Sequence, residues 1–145
     1  MTNRIWYADV VFWAVLLAGV ALVALWSRAF GGGELPDVAA LILLILVYPI
    51  LEEVVFRGMI QPALQRRTRH PGFGPLSVAN IVTSIMFAIA HLPAHGILQS
   101  ALVFGPSLLF GLFRDRHGTV ASPAVLHVSW NAASVLILGL GVTPF

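Results

Sequence analysis

The 145-residue chain has no cysteine and no lysine, and only 10% of its residues are charged. Without cysteine, there can be no disulfide, iron–sulfur cluster, thiol nucleophile or Cys-based zinc site. The scarcity of charge, beside 59% apolar residues and a mean hydropathy of +0.92, excludes an ordinary soluble domain. Such domains carry roughly a quarter charged and under half apolar residues. A fold of this size has no core large enough to hide so much apolar surface. The chain therefore reads as an integral membrane protein with one membrane domain over 1–145. Its eight arginines sit mostly at the ends of apolar runs and form no basic stripe with stacking aromatics, so nucleic acid is not a partner and the lipid bilayer is.

Five apolar runs have about the length a bilayer needs, ~17–25 residues. They lie at about 10–25, 41–64, 76–92, 97–113 and 119–140. Trp6, Tyr7 and Trp26 flank the first as interface anchors, ~30 Å of helix apart. A signal peptide, with Arg4 as its basic region, competes for that first run. Gly31–Gly33, the stretch from Pro71 to Pro75, Pro93–Gly96 and Arg114–Gly118 read as connections, and Gly105-Pro106 as a kink in the fourth run. The predicted architecture is an all-α polytopic bundle of about five transmembrane helices. With the N-terminus inside, six arginines (4, 66, 67, 69, 114, 116) face inward against Arg28 outward, so the predicted topology is N-in/C-out.

Polar groups in hydrocarbon are costly, which makes those inside the runs functional candidates. Glu53 and Arg57 stand four apart on one face in the favourable ion-pair order, and Gln61 continues the stripe. Glu52 points about 100° away with no local cation. An interfacial amphipathic helix with both acids solvated is the competing reading. His91 stands on the third run, where a packing role is the ordinary expectation for a lone histidine. His127 and Asn131 share a face of the fifth, where interhelical hydrogen bonding is the plainer reading. Depth brings them together. At ~1.5 Å per residue, Glu52 lies ~21 Å above Arg66, His91 ~22 Å above Leu76, and His127 ~12 Å and Asn131 ~18 Å above Thr119.

A carboxylate, two imidazoles and an amide in one layer point to water-mediated acyl chemistry. Glu52 would be the general base, His127 or His91 would hold water or protonate the leaving amine, and Asn131 would serve an oxyanion. Arg57 would neutralise Glu53 and could orient a substrate carboxylate. No cofactor is needed on this reading. Zinc held by Glu52, His91 and His127 is the alternative, although no HExxH pair is present. Ser84, Ser107, Ser129 and Ser134 lie in no nucleophile turn. His70, His95 and His117 read as solvated loop residues, and Phe56, Phe87 and Trp130 as packing. Asp9 reads as a helix-start acid, and Asn80 and Thr83 as interhelical hydrogen-bond partners.

The run from Glu52 to Gly58 resembles the EExxxR motif of the CPBP (CAAX protease and bacteriocin-processing, Abi) intramembrane proteases. Phe87 to His91 resembles their FxxxH and His127 to Asn131 their HxxxN. The resemblance covers about Leu41 to Val135, within a catalytic core at about 38–141 that is preceded by an extra span at about 10–26. It implies a glutamic-type intramembrane endopeptidase in which Glu52 activates water, His91 and His127 assist, Asn131 and a histidine form the oxyanion hole, and Glu53 and Arg57 support. The implied substrate is a membrane-anchored protein or peptide cut near its C-terminus, as in CAAX-like, bacteriocin or sorting-tag processing. The implied location is the inner membrane of a bacterium, multi-pass. A non-catalytic immunity or binding protein of the same fold is the alternative, and a small proton-relay transporter a third.

Overall fold

The computed structural model describes residues 5–30, 34–68 and 72–138, and all its regular elements there are helical. A single turn of 3₁₀ helix, Trp6–Ala8, leads into α1 (Val10–Phe30). Then come α2 (Val38–Arg67), α3 (Val78–His117) and α4 (Ala121–Leu138). Both long helices start where sequence rules place them. The Asp37 side chain accepts from the Ala40 N–H (2.8 Å) and that of Ser77 from the Asn80 N–H (3.0 Å), each satisfying a backbone donor that the first turn leaves open. Val38–Arg67 and Val78–His117 are long and apolar enough to cross a membrane, and Val10–Trp26 is a shorter apolar helix.

The third and fourth expected runs, both within α3, are two helical segments joined at Gly96 (φ 72°, ψ 177°), and the second folds back along the first, with Ser77 Oγ donating to Asp115 Oδ2 (2.7 Å) and Asn80 Nδ2 to Leu108 O (3.0 Å). Only glycine enters this region of φ without steric cost. The turn expected over Pro93–Gly96 is thus present but concentrated at Gly96, with helix persisting through Pro93, Ala94 and His95. Helix also continues through Gly105 and Pro106. Arg4, Gly31–Gly33, Arg69, His70, Pro71 and the C-terminal end of the last expected run lie outside the described residues.

The helix α2 is an alternation of α and π turns, with π turns at Leu43–Val47 and Val54–Ile60. Each π turn ends just ahead of a proline, Pro49 or Pro62. A proline ring inside a regular α-helix collides with the carbonyl four residues back. Widening to the i→i−5 register relieves that contact, and Tyr48 N–H reaches Leu43 O and Gln61 N–H reaches Phe56 O in that register. Continuing it, Pro49 would pair with Leu44 O and Pro62 with Arg57 O, but proline has no N–H to give. Two carbonyls inside the bundle are thereby left for other donors, and both find one across a helix interface.

Helix α1 packs along α4, and α4 packs against α3 and the first half of α2. Phe12 and Leu16 of α1, Phe110 and Phe113 of α3, and Leu126 and Trp130 of α4 form the main apolar cluster. The Trp130 indole N–H donates to Leu16 O (3.1 Å), tying α4 to α1. Asp9, Arg116 and His117 close the other end of the α1–α3 contact. Asp9 accepts from the Arg116 guanidinium and lies 3.0 Å from His117 Nε2. Its carboxyl is held well below the usual carboxylate range, chiefly by the Arg116 hydrogen bond, with His117 and the Val11 N–H adding to it and burial opposing. His117 is buried at 3% exposure against Phe113, not solvated in a loop as expected.

Candidate active site

The stripe Glu53, Arg57 and Gln61 turns inward, and all three side chains are fully buried. Arg57 Nε lies 3.4 Å from Glu53 Oε2, the expected i,i+4 pair. Its Nη2 donates to both Oγ (2.5 Å) and the carbonyl oxygen (2.7 Å) of Ser107 on α3. The guanidinium also faces the Phe87 ring at 4.8 Å and Phe110 at 5.5 Å. Arg57 is thus fully buried, with its Nη1 left without a hydrogen-bond partner among the described residues.

His127 stands between the two glutamates. Its Nδ1 is 3.0 Å from Glu53 Oε1, and its Nε2 is 3.7 Å from Glu52 Oε2. A carboxylate paired with Arg57 can only accept, so Nδ1 carries the hydrogen and, in neutral imidazole, Nε2 presents a lone pair toward Glu52. The ring stacks on Phe110 (centroids 4.6 Å apart, planes at 20°) and meets Phe87 edge-on at 5.9 Å. Glu52 differs from its neighbour. Its side chain is 32% exposed where that of Glu53 is sealed, and the group that faces it across the helix interface is the imidazole of α4.

Asn131 lies one turn beyond His127 and donates from Nδ2 to Leu44 O (3.0 Å). That is the carbonyl stranded by Pro49. The one stranded by Pro62, Arg57 O, accepts from Arg114 Nε at 2.9 Å. In hydrocarbon, where water cannot serve a freed carbonyl, neighbouring helices must do so. Asn131 keeps a second amide N–H, and its Oδ1 is buried with no partner among the described residues.

His91 is buried beside this group without joining it. Its Nδ1 is 2.8 Å from Phe87 O of its own helix, so that nitrogen is the donor. Its ring lies 4.4 Å from Phe87, which also touches His127, and it stacks on His95 at 5.5 Å. His95 is therefore a half-buried helical residue and not the solvated loop residue expected. Among the described residues, no three His, Asp or Glu side chains converge in a way that could hold a metal ion.

The structure thus brings Glu52, Glu53, Arg57 and His127 into one contact chain, sets Asn131 at its edge, and connects His91 to it through Phe87. Ser107 and Arg114, which hold the side chain and the carbonyl of Arg57, were not singled out for that work from sequence. The signal for Arg114 was present, since a proline inside an apolar run implies a freed carbonyl in need of a donor. Asn80 does bridge helical segments, donating to Leu108 O (3.0 Å) and accepting from Ser84 Oγ (3.1 Å). Thr83 Oγ1 is buried with no partner among the described residues.

Residues 34–133 match the model of the type II CAAX prenyl endopeptidase Rce1-like family. The chain belongs to this family. It is one of CAAX-type intramembrane proteases, and the match contains Glu52, Glu53, Arg57, His91, His127 and Asn131 while leaving α1 outside. Among curated proteins, an uncharacterised 24.3 kDa protein of Escherichia coli is 27% identical over 132 residues, covering 88% of this chain and 59% of that protein. The chain accordingly spans less than two-thirds of that relative's length. No solved structure matches the chain.

Proposed function

We propose that the protein is a multi-pass intramembrane endopeptidase of a bacterial inner membrane, built as a five-span N-in/C-out bundle. On this reading it hydrolyses a peptide bond near the C-terminus of a membrane-anchored protein or peptide, with Glu52 as general base and no cofactor. The observation that carries the reading is the division of labour between adjacent glutamates. Glu53 is buried, neutralised by Arg57 and bonded to His127 Nδ1, while Glu52 is partly open and faces Nε2 of the same imidazole.

A water between these groups would direct one hydrogen to the Glu52 carboxylate and the other to the lone pair on His127 Nε2. Glu52 takes the first proton as the oxygen attacks the scissile carbonyl carbon. The resulting oxyanion is met by the second N–H of Asn131. When the C–N bond breaks, Glu52 returns the proton to the leaving amine, so the site ends as it began. His91, with Nδ1–H fixed on Phe87 O, offers an accepting Nε2 to a substrate N–H. The aromatic walls of Phe87 and Phe110 keep bulk water from the His127 ring, which strengthens these interactions.

The test is cleavage of a membrane-anchored reporter library by purified protein in liposomes, with and without chelator, beside Glu52→Gln. General-base work contributes about 10²–10⁴-fold, so Glu52→Gln should lose at least that order of rate with the fold intact. Cutting that survives chelation is expected. Loss on chelation with recovery on added zinc would replace this mechanism with a metal-dependent one. A library that is bound but never cut, equally by both proteins, would replace it with the non-catalytic binding reading.

A further inference from the structure

On the far side of the Phe110–Trp130 wall from His127 lies a cavity of about 760 Å³. It is walled by α1 (Gly19, Trp26), the second half of α3 (Gly105) and α4 (Trp130, Ser134), with His95 at its edge. The lining is mostly apolar. Two of its polar atoms, Ser134 Oγ and His95 Nδ1, are buried and have no partner among the described residues. Buried polar atoms are ordinarily satisfied, and each one left open calls for an explanation.

We propose that this cavity is a subsite for a short, unwound apolar stretch of substrate next to the scissile bond, whose backbone amide groups pair with Ser134 Oγ and His95 Nδ1. The inference rests on the proteolytic reading above and names what that site grips. A peptide bond cannot be attacked while its carbonyl is locked inside a substrate helix. Unwinding a helix in hydrocarbon exposes N–H and C=O groups that must find partners at once. An acyl chain would fill the volume but offers nothing to the two open polar atoms, whereas an extended peptide supplies both apolar side chains and amide partners. The size agrees. A helix about 10–12 Å across with a 5.4 Å pitch would fit less than two turns here, too little to hold an intact substrate helix.

The cavity neighbours the candidate active site, because two of its lining residues touch that site's surroundings: the His95 ring stacks on His91, and Trp130 packs against Phe110, which stacks on His127. One wall is α1, which lies outside the family match, so this subsite uses an element beyond the matched core. Gly105 gives a direct means of closing it. A Cβ there meets nothing within 4 Å, so a larger side chain has open space to enter and no backbone to displace.

The experiment uses the full chain in nanodiscs, with Glu52→Gln to block cutting and benzoylphenylalanine in place of Leu102, a cavity residue, or of the exposed Leu51 on α2 as control. The probe is a fluorescent single-span Leu/Ala peptide with a Gly-Pro break near its C-terminus, beside an unbroken version. Expected is crosslinking of the broken tail at Leu102 about tenfold above Leu51 and above the unbroken tail, with Gly105→Phe lowering it about tenfold. Ser134→Ala should lower the yield several-fold while melting no lower than the parent, which separates lost binding from lost folding. Crosslinks to lipid alone, equal yields from both tails, or yields untouched by Gly105→Phe would each overturn the subsite. Cutting by the Glu52 protein without crosslinking at Leu102 removes the subsite and leaves the protease. Tail crosslinking by a protein that cuts nothing removes the protease and leaves a peptide-binding cavity.

Discussion

Arg57→Met should be among the most damaging single substitutions in this protein. It leaves the fully buried Glu53 carboxylate without its cation and takes the guanidinium from Ser107, Phe87 and Phe110. At the observed 3.4 Å, an effective dielectric near 20 gives a gross Coulomb attraction of about 5 kcal/mol. Removing one partner of a buried pair costs about 3–5 kcal/mol, because the survivor stays desolvated. Marginal stabilities of about 5–15 kcal/mol make that a large fraction of the whole. Glu53→Gln on top should recover part of the loss, since the amide oxygen still accepts from His127 Nδ1 and no charge is stranded. A coupling of about 2–3 kcal/mol in the double-mutant cycle is expected, within the range seen for residues in one network. The assay is equilibrium unfolding in mixed detergent micelles, followed by fluorescence of the four tryptophans. A cost below about 1 kcal/mol for Arg57→Met, or additivity within about 0.5 kcal/mol, would refute the claim that this pair is closed and interdependent.

Three further outcomes are expected. Gly111→Ala places a Cβ 1.8 Å from Asn80 Oδ1 and should destabilise by about 1–3 kcal/mol as an overpacked contact does, whereas on an Asn80→Ala background it should cost almost nothing. Asp9, whose folded carboxyl titrates below the unfolded one, contributes stability that is full above the unfolded value near 4 and is lost as pH falls toward the folded value. The unfolding midpoint should therefore hold level from about pH 8 to 5 and drop below that, and Asp9→Asn should start lower and drop less. Ser107→Ala removes one of the two oxygens that fix Arg57 Nη2. Acting only through Glu53 and His127, it should lower kcat about tenfold with KM unchanged, and threonine at 107 should restore the rate, as measured on the reporter that the wild type cuts best.

How much of this was legible in the chain depended on whether a feature is local or crosses between helices. The Glu53–Arg57–Gln61 stripe followed from the i,i+4 rule, and the structure buries all three residues together. The pairing of Glu52 with an imidazole of α4 could be anticipated only as a shared depth, because a rise per residue fixes height and says nothing of which helices touch. That is why His91, at the right height, is separated from Glu52 by its attachment to Phe87 and its own backbone. His95 and His117 were misplaced for a related reason. Proline and glycine beside a histidine read as a loop, yet helix runs through Pro93 to His95, and His117 closes the last turn before Gly118 against an acid more than a hundred residues away.

The two prolines of α2 join the fold to the candidate chemistry. Each forces a wide turn and strands a carbonyl, and the donors that answer are Asn131, four residues beyond His127, and Arg114, whose target is the backbone of Arg57. Glu52 and Glu53 sit on the α turn between the two wide turns, and between the two anchored carbonyls of Leu44 and Arg57, so the direction in which each carboxylate aims is set from both ends. A regular α-helix would have satisfied its own carbonyls and needed neither donor. In hydrocarbon an unsatisfied carbonyl has no solvent to fall back on, so the irregularity itself enforces the cross-helix bonds that hold His127 against both glutamates. The same reasoning sets α1 apart. It packs on α4 and forms one wall of the cavity, and among the described contacts of Glu52 and Glu53 none comes from α1, so its contribution lies in what the bundle holds beside the site.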